Sequence, residues 1–222
     1  MKIRSLSFKL ILSYALIFIL AFSLLSILLY KDLKRNYLKD LVNSLASQAL
    51  LVEAQIPPLS VAKKDFPGLN NLAKDLSAKI NLRITLIDIN GLVLADSEKS
   101  AQEVLGMDNH ANRPEVKLAL DGAVGNEIRY SDTLKMDMLY VTVPLIKNSE
   151  IAGSVRLAMP LAGVQKMFVG IKGGLIFIIL FVLVLSFILS TFFALKIAKP
   201  VNKIISVARQ YSLGNFSHRV YH

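Results

Sequence analysis

The pattern of hydrophobic periods along this chain predicts an α+β domain carried between two transmembrane helices. Three observations predict it: two uncharged apolar blocks near the ends of the chain, a helical seam just after the first block, and five stretches of period-two alternation between Ile80 and Leu161. At 222 residues and 54% hydrophobic, the chain is too apolar for an ordinary soluble domain.

The excess lies in residues 10–30 and 175–195. At ~1.5 Å per residue each block covers about 30 Å, the thickness of a bilayer's hydrocarbon core. A cleaved signal peptide is the competing reading of the first block. It would need a shorter apolar region and a small-residue cleavage site, which Tyr30-Lys31-Asp32 does not offer.

Charge sets the expected orientation. The formal net charge is +10, but all 16 acids fall between Asp32 and Glu150. Lys2, Arg4 and Lys9 before the first block, and Lys196, Lys199, Lys203, Arg209 and Arg219 after the second, have no acid beside them. Short basic flanks stay on the cytoplasmic side, whereas a long loop crosses largely regardless of its charge. The expected division is a cytoplasmic N-terminus at 1–9, a transmembrane helix at 10–30, an extracytoplasmic domain at 31–172, a second transmembrane helix at 173–196 and a cytoplasmic segment at 197–222. A nucleic-acid partner is not expected, because the unbalanced positives adjoin the apolar blocks instead of forming a basic face interleaved with aromatics.

Several chemistries are excluded. The chain has no cysteine, hence no disulfide, thiol nucleophile or thiolate metal site, and its three histidines, His110, His218 and His222, have no ligand spacing. No phosphate-binding loop, dinucleotide fingerprint, zinc-protease helix or nucleophile elbow occurs. No catalytic residue, metal or cofactor is therefore expected in this chain.

Within 31–172, Leu38, Val42, Leu45, Ala49 and Val52 form a seam at alternating spacings of four and three, on a helix expected to run outward until Pro57-Pro58 stops it. The seam suits a coiled coil or a helix packed on its own domain. A second helix is expected at about 68–79. From Ile80 the period changes to two, and Asn90-Gly91 between apolar runs predicts a hairpin of strands 80–88 and 92–96. Pro114 suits the first turn of a short helix that has Val116, Leu118 and either Ala119 or Leu120 on one side, with Gly122 as its stop. Alternating stretches at 126–132, 135–146 and 150–161 complete about five antiparallel strands, and 161–172 reads as a helical lead into the second span.

Behind that span, Ile197, Val201, Ile204, Ala208 and Tyr211 repeat the spacing of four, three, four and three. Pro200 is tolerated near a helix start and would break a continuous rod, so a new helix is expected to begin there, with Gly214 allowing a turn at its far end. A basic helix lying on the membrane surface is the competing reading.

The stretch KPVNKIISVARQYSLGNFSHRV resembles the first half of a HAMP linker through Pro200, Val201, Ile204, Ala208, Gly214-Asn215-Phe216 and Val220. That resemblance implies a parallel four-helix bundle across a homodimer, with the motif's second helix beyond His222. RITLIDINGLVLADS, MDNHANRPEVKLALDG and the strands around MLYVTVPL and GSVRLAMPL resemble the extracytoplasmic PAS-like sensor of PhoR-like bacterial histidine kinases. The implied protein is the input half of a two-component receptor in the bacterial cytoplasmic membrane. Its kinase module, outside this chain, would use ATP and Mg and pass phosphate to a response regulator. His218 and His222 do not match the phospho-acceptor motif of such kinases. A chemoreceptor-like input half, a cyclase-coupled receptor and a stand-alone scaffold remain as alternatives.

For a ligand, the sequence points to the DNHANRPE loop and to polar side chains on the sheet. Arg129 alternates with Ile128 and Tyr130, and Arg156 with Val155 and Leu157, so both arginines are expected on the face away from the apolar side. Guanidinium groups there suit a carboxylate or phosphate. The competing expectation is that they are solvated or paired with Glu127, Asp132 or Asp137. His110 and Arg113 are the loop candidates, His110 alternatively capping the next helix or lying exposed, and Tyr140 is expected to pack. Ile197, Pro200, Val201, Ile204, Ala208, Tyr211 and Gly214 are the candidate signal-transmission residues.

Overall fold

The computed structural model describes residues 6–131, 135–193, 196 and 199–212. The chain divides into two compact units, one of residues 34–168 and one that joins the two ends of the chain.

The 34–168 unit is an α+β domain. It takes in the second half of α1 (Leu6–Ala54), α2 (Pro58–Ala62), α3 (Phe66–Ile80), β1 (Arg83–Asp88), β2 (Val93–Asp96), α4 (Ala101–Leu105), α5 (Pro114–Leu120), β3 (Gly125–Ser131), β4 (Met136–Lys147), β5 (Glu150–Pro160) and the start of α6 (Ala162–Phe193). The five strands form one antiparallel sheet in the order β2-β1-β5-β4-β3.

Two helix boundaries differ from expectation, each for a local reason. α3 starts at Phe66, not 68, because the Asp65 carboxylate accepts a hydrogen bond from the Gly68 amide and caps the helix. It runs through Ile80 because the left-handed residue that ends it is Asn81, so β1 begins at Arg83 instead of Ile80. α4 carries a reciprocal cap, Ser100 with Glu103. In α5, Val116 and Ala119 are buried while Leu118 is exposed, since a step of two residues turns a helix about 200° away from the starting face.

One face of the sheet is apolar. Ile84 and Leu86 of β1, Val143 and Leu145 of β4, and Val155 and Leu157 of β5 pack with Ala49 and Val52 from the end of α1, with Ile56 just beyond it, and with Leu69, Ala73 and Leu76 of α3. The Leu45-Ala49-Val52 part of the α1 seam is therefore buried in its own domain. Glu53 strengthens the joint: its side chain accepts from the Ile146 amide and pairs with Lys147 at 2.9 Å, and its carbonyl accepts from the same ammonium. Ile128 and Tyr130, expected on the apolar side, are 43% and 52% exposed because β3 is an edge strand. The β4–β5 turn has Asn148 and Ser149 both at positive φ, the pair a tight two-residue hairpin turn requires.

The second unit consists of the remainder of α1, the rest of α6, and α7 (Lys199–Ser212). α1 and α6 each contain a stretch long and apolar enough to cross a membrane, and their large side chains from Leu16 to Leu29 and from Ile176 to Phe192 are mostly exposed. α7 begins one residue before Pro200, where a proline costs little. Val201, Ile204 and Ala208 are exposed on it. Tyr211 lies in its last turn, and Ile197, Gly214, His218 and His222 lie outside the described residues.

Gly153 tests the sheet's register. A Cβ there would sit 2.1 Å from the Ile87 carbonyl oxygen of the neighbouring strand. Gly153→Ala is expected to destabilise the domain by about 3 kcal/mol, read by thermal unfolding; an unchanged melting temperature would contradict this packing.

Candidate ligand-binding site

Strand register decides which side chains meet on the second face. Arg83 and Thr85 of β1 stand opposite Ala158 and Arg156 of β5, which stand opposite Tyr140 and Thr142 of β4; Arg129 of β3 stands opposite Met138 of β4. Alternation then places Arg83, Thr85, Arg129, Tyr140 and Arg156 together, away from the apolar core. A cleft of about 450 Å³ opens on this face. His110, Arg113, Arg129, Tyr140 and Arg156, the five candidates from the sequence, all line it, joined by Arg83, Met107, Asp108, Tyr130 and Ser131.

Glu115 organises the cleft from behind. It sits in the first turn of α5 with its side chain 0% exposed, and its Oε1 lies 3.4 Å from Arg129 Nη2 and 3.6 Å from Arg156 Nη1. α5 reaches this position because Gly125 opens β3; a Cβ there would lie 2.0 Å from the Glu115 carbonyl oxygen. Tyr140 packs, as expected, and also faces both cations, its ring centroid 4.4 Å from Arg129 Cζ and 5.1 Å from Arg156 Cζ. The arginines do share a face, but the acid they share is Glu115, not Glu127 or Asp137, and residue 132 lies outside the described residues.

Arg156 is the most deeply placed of these cations, 4% exposed. Its Nη2 donates to Thr85 Oγ1 at 3.3 Å, and that hydroxyl donates to Asp96 Oδ2 at 2.8 Å. Asp96 also takes both short contacts from Arg83 Nε, at 3.0 and 3.1 Å, while Arg83 Nη1 reaches Glu98 at 3.2 Å. Burial pulls the Arg156 guanidinium down to about 10, with Glu115 opposing and Arg83 assisting, so it stays charged at neutral pH. Among the described residues, Arg156 Nε, Glu115 Oε2 and His110 Nδ1 are buried atoms with no hydrogen-bond partner.

His110 is neither exposed nor a side-chain cap. Its amide donates to the Gly91 carbonyl at 2.8 Å, its own carbonyl accepts from the Arg113 amide at 3.0 Å, and the imidazole is buried. Asn109 Nδ2 donates to the Asn90 carbonyl, so the loop is fastened to the β1–β2 turn. Burial, then the charges of Arg156 and Arg113, depress the His110 pKa to about 4.

Glu115, Arg83, Thr85 and Asp96 were not foreseen as site residues. Arg83 and Thr85 had a signal, since they alternate with Ile84 and Leu86. Glu115 had none, because an acid in a first helical turn ordinarily faces water and the helix dipole.

No protein-family model and no curated protein sequence matches this chain. Solved structures do. The ligand-binding domain of the Campylobacter jejuni chemoreceptor Tlp3, in complex with L-norvaline, matches with a TM-score of 0.50 at 18% identity, covering 63% of this chain and 59% of that one. The sensor domain of the Vibrio cholerae histidine kinase DctB matches at 0.44 and 21%, covering 63% and 60% of the two chains. The sensor domain of E. coli DcuS matches at 0.45 and 20%, covering 56% of this chain and 95% of that one. The match thus spans about 60% of the Tlp3 and DctB domains, and at these identities the likeness is one of fold alone.

Two outcomes check the site. Glu115→Gln leaves Arg156 buried without its counter-charge and is expected to cost about 3 kcal/mol in thermal unfolding, whereas Glu115→Leu with Arg156→Met should recover most of that loss. For His110, the folded pKa lies below the ordinary 6.5, so the unfolded chain takes up the proton first. Its contribution to stability is present above pH 6.5 and is lost as pH falls toward about 4. His110→Gln should flatten the melting curve's pH dependence in that window; an unchanged slope would contradict it.

Proposed function

We propose that this chain is the signal-sensing and signal-transmitting half of a bacterial sensor histidine kinase. Residues 31–172 form the extracytoplasmic sensor, and 10–30 and 173–196 cross the cytoplasmic membrane with both flanks cytoplasmic. The observation that carries this reading is connectivity. One sensor-fold sheet domain is bracketed in the chain by two apolar helices, with the last strand ending at Pro160 and α6 starting at Ala162. The basic flanks support the orientation. Tyr30 and Lys172 support it too: they pair at 5.0 Å, placing an amphipathic aromatic and a cation where the two apolar stretches meet the sensor, the composition expected at a membrane interface.

In this reading α7 is the first helix of a HAMP linker. Two subunits of a homodimer pair through Ile197, Val201, Ile204, Ala208 and Tyr211, with Pro200 and Gly214 marking the ends of the lever. A rearrangement in the sheet shifts the second span against the first and biases two packings that differ by a few kcal/mol. ATP, Mg and a response regulator belong to a kinase module outside residues 1–222. A chemoreceptor input half is the second reading, favoured by the Tlp3 likeness, the strongest of the three fold matches above by TM-score.

The absence of native cysteine makes the test clean. Ile204→Cys in cell membranes should cross-link between subunits, and protease added to spheroplasts should cut within 31–172 and spare both flanks. Cut flanks with an intact middle would invert the topology and sink the receptor reading. Cysteine at 204 that never cross-links, while surface controls do, would remove the dimeric linker.

A further inference from the structure

We propose that the arginine-lined cleft binds a small organic acid carrying one negative charge, its carboxylate held by Arg156 and Arg129 and its body lying against Met107 and Tyr140. The inference rests on reading residues 31–172 as a sensor and names the class of molecule the sensor takes.

Three observations converge. The first is an unmet donor. Arg156 Nη1 faces Glu115 and Nη2 faces Thr85, but the buried Nε has no acceptor among the described residues, and the side chain lines the cleft. A guanidinium edge of this kind matches the two oxygens of a carboxylate, and a buried donor left without an acceptor costs on the order of 1–3 kcal/mol, so an anionic acceptor is the group it lacks.

The second is charge. Among the described residues Arg83 has two acids, Asp96 and Glu98, whereas Arg129 and Arg156 share the single carboxylate of Glu115, so that at this pair two cations face one anion. His110, held neutral by burial and by its arginine neighbours, adds no second charge and offers Nδ1 to a polar group on the ligand. A single excess charge selects a monoanion over a dianion.

The third is shape. A cleft of about 450 Å³ lies in the range for small organic ligands and far exceeds a bare inorganic anion, and Met107 and the Tyr140 ring, which shares the sheet face of the arginines, supply an apolar wall. The two-arginine grip also has a built-in spacer. Glu115 contacts both guanidiniums through one oxygen, which sets their spacing.

The experiment is thermal unfolding of the full chain in neutral-lipid nanodiscs, titrated with sodium benzoate, sodium lactate, sodium succinate or inorganic phosphate, each against sodium chloride at matched ionic strength. Benzoate or lactate should raise the melting temperature saturably and more than succinate or phosphate. Arg129→Gln, at a 27% exposed position, and Arg113→Gln should each weaken that effect roughly tenfold. No shift beyond chloride from either monoacid refutes the inference, as does a shift that both variants retain. Stronger stabilisation by succinate or phosphate refutes the assignment of a singly charged organic ligand. Any of these results with the protease pattern and Ile204→Cys cross-linking intact removes the ligand class alone. Binding as expected in a chain whose middle segment proves cytoplasmic removes the receptor reading alone.

Discussion

Arg156 is a charge buried in the central strand of a sheet, and much of the domain is arranged around keeping it charged there. An isolated guanidinium in that position would cost several kcal/mol. Glu115 supplies the counter-charge, Tyr140 the π face, Thr85 an acceptor, and Asp96 a second acid one hydrogen bond further away. Each of these depends on a backbone feature: α5 touching β3 at Gly125, the register of β1 against β5, and the cap that ends α3 early enough for β1 to start at Arg83.

The same strand explains why the domain has two unlike faces. Val155 and Leu157 drive β5 onto the helical layer, and alternation then obliges Ser154, Arg156 and Ala158 to face the other way. One side of the sheet is an ordinary apolar core held to α1 by hydrophobic contact and by Glu53 with Lys147. The other is a polar face with orphaned donors and acceptors. In the receptor reading this division separates duties: the apolar face transmits force to α1 while the polar face contacts the stimulus, and β5 belongs to both.

Much of this was legible in the residues. The five strands, the Asn90-Gly91 hairpin, the helix opening at Pro114 and the helix opening at Pro200 follow from local patterns, because alternation, turn chemistry and proline stereochemistry act within a few residues. So does the sharing of a face by Arg129 and Arg156, each read from its neighbours in its own strand. What failed was of another kind. Leu118 is apolar yet exposed, because apolarity alone does not fix a residue's angle on a helix and two residues from Val116 is about 200° of rotation. Ile128 and Tyr130 alternate like inward residues yet are exposed, because a strand's own sequence does not say that it will be the sheet edge. The α1 seam left two partners open, and burial of Leu45, Ala49 and Val52 against the domain's own core decided that segment.

By itself the sequence determined the class of element at each position, the two apolar blocks and the polar side chains available for a site, since hydrophobic period and backbone stereochemistry are local properties. Only the tertiary structure decided that five residues from a loop and three strands line one cleft, and that Glu115, not Glu127 or Asp137, is the acid between the arginines. The reason is physical: the partner of a buried charge is set by strand order, register and the approach of a helix, and these arise from contacts between segments that the chain separates by tens of residues.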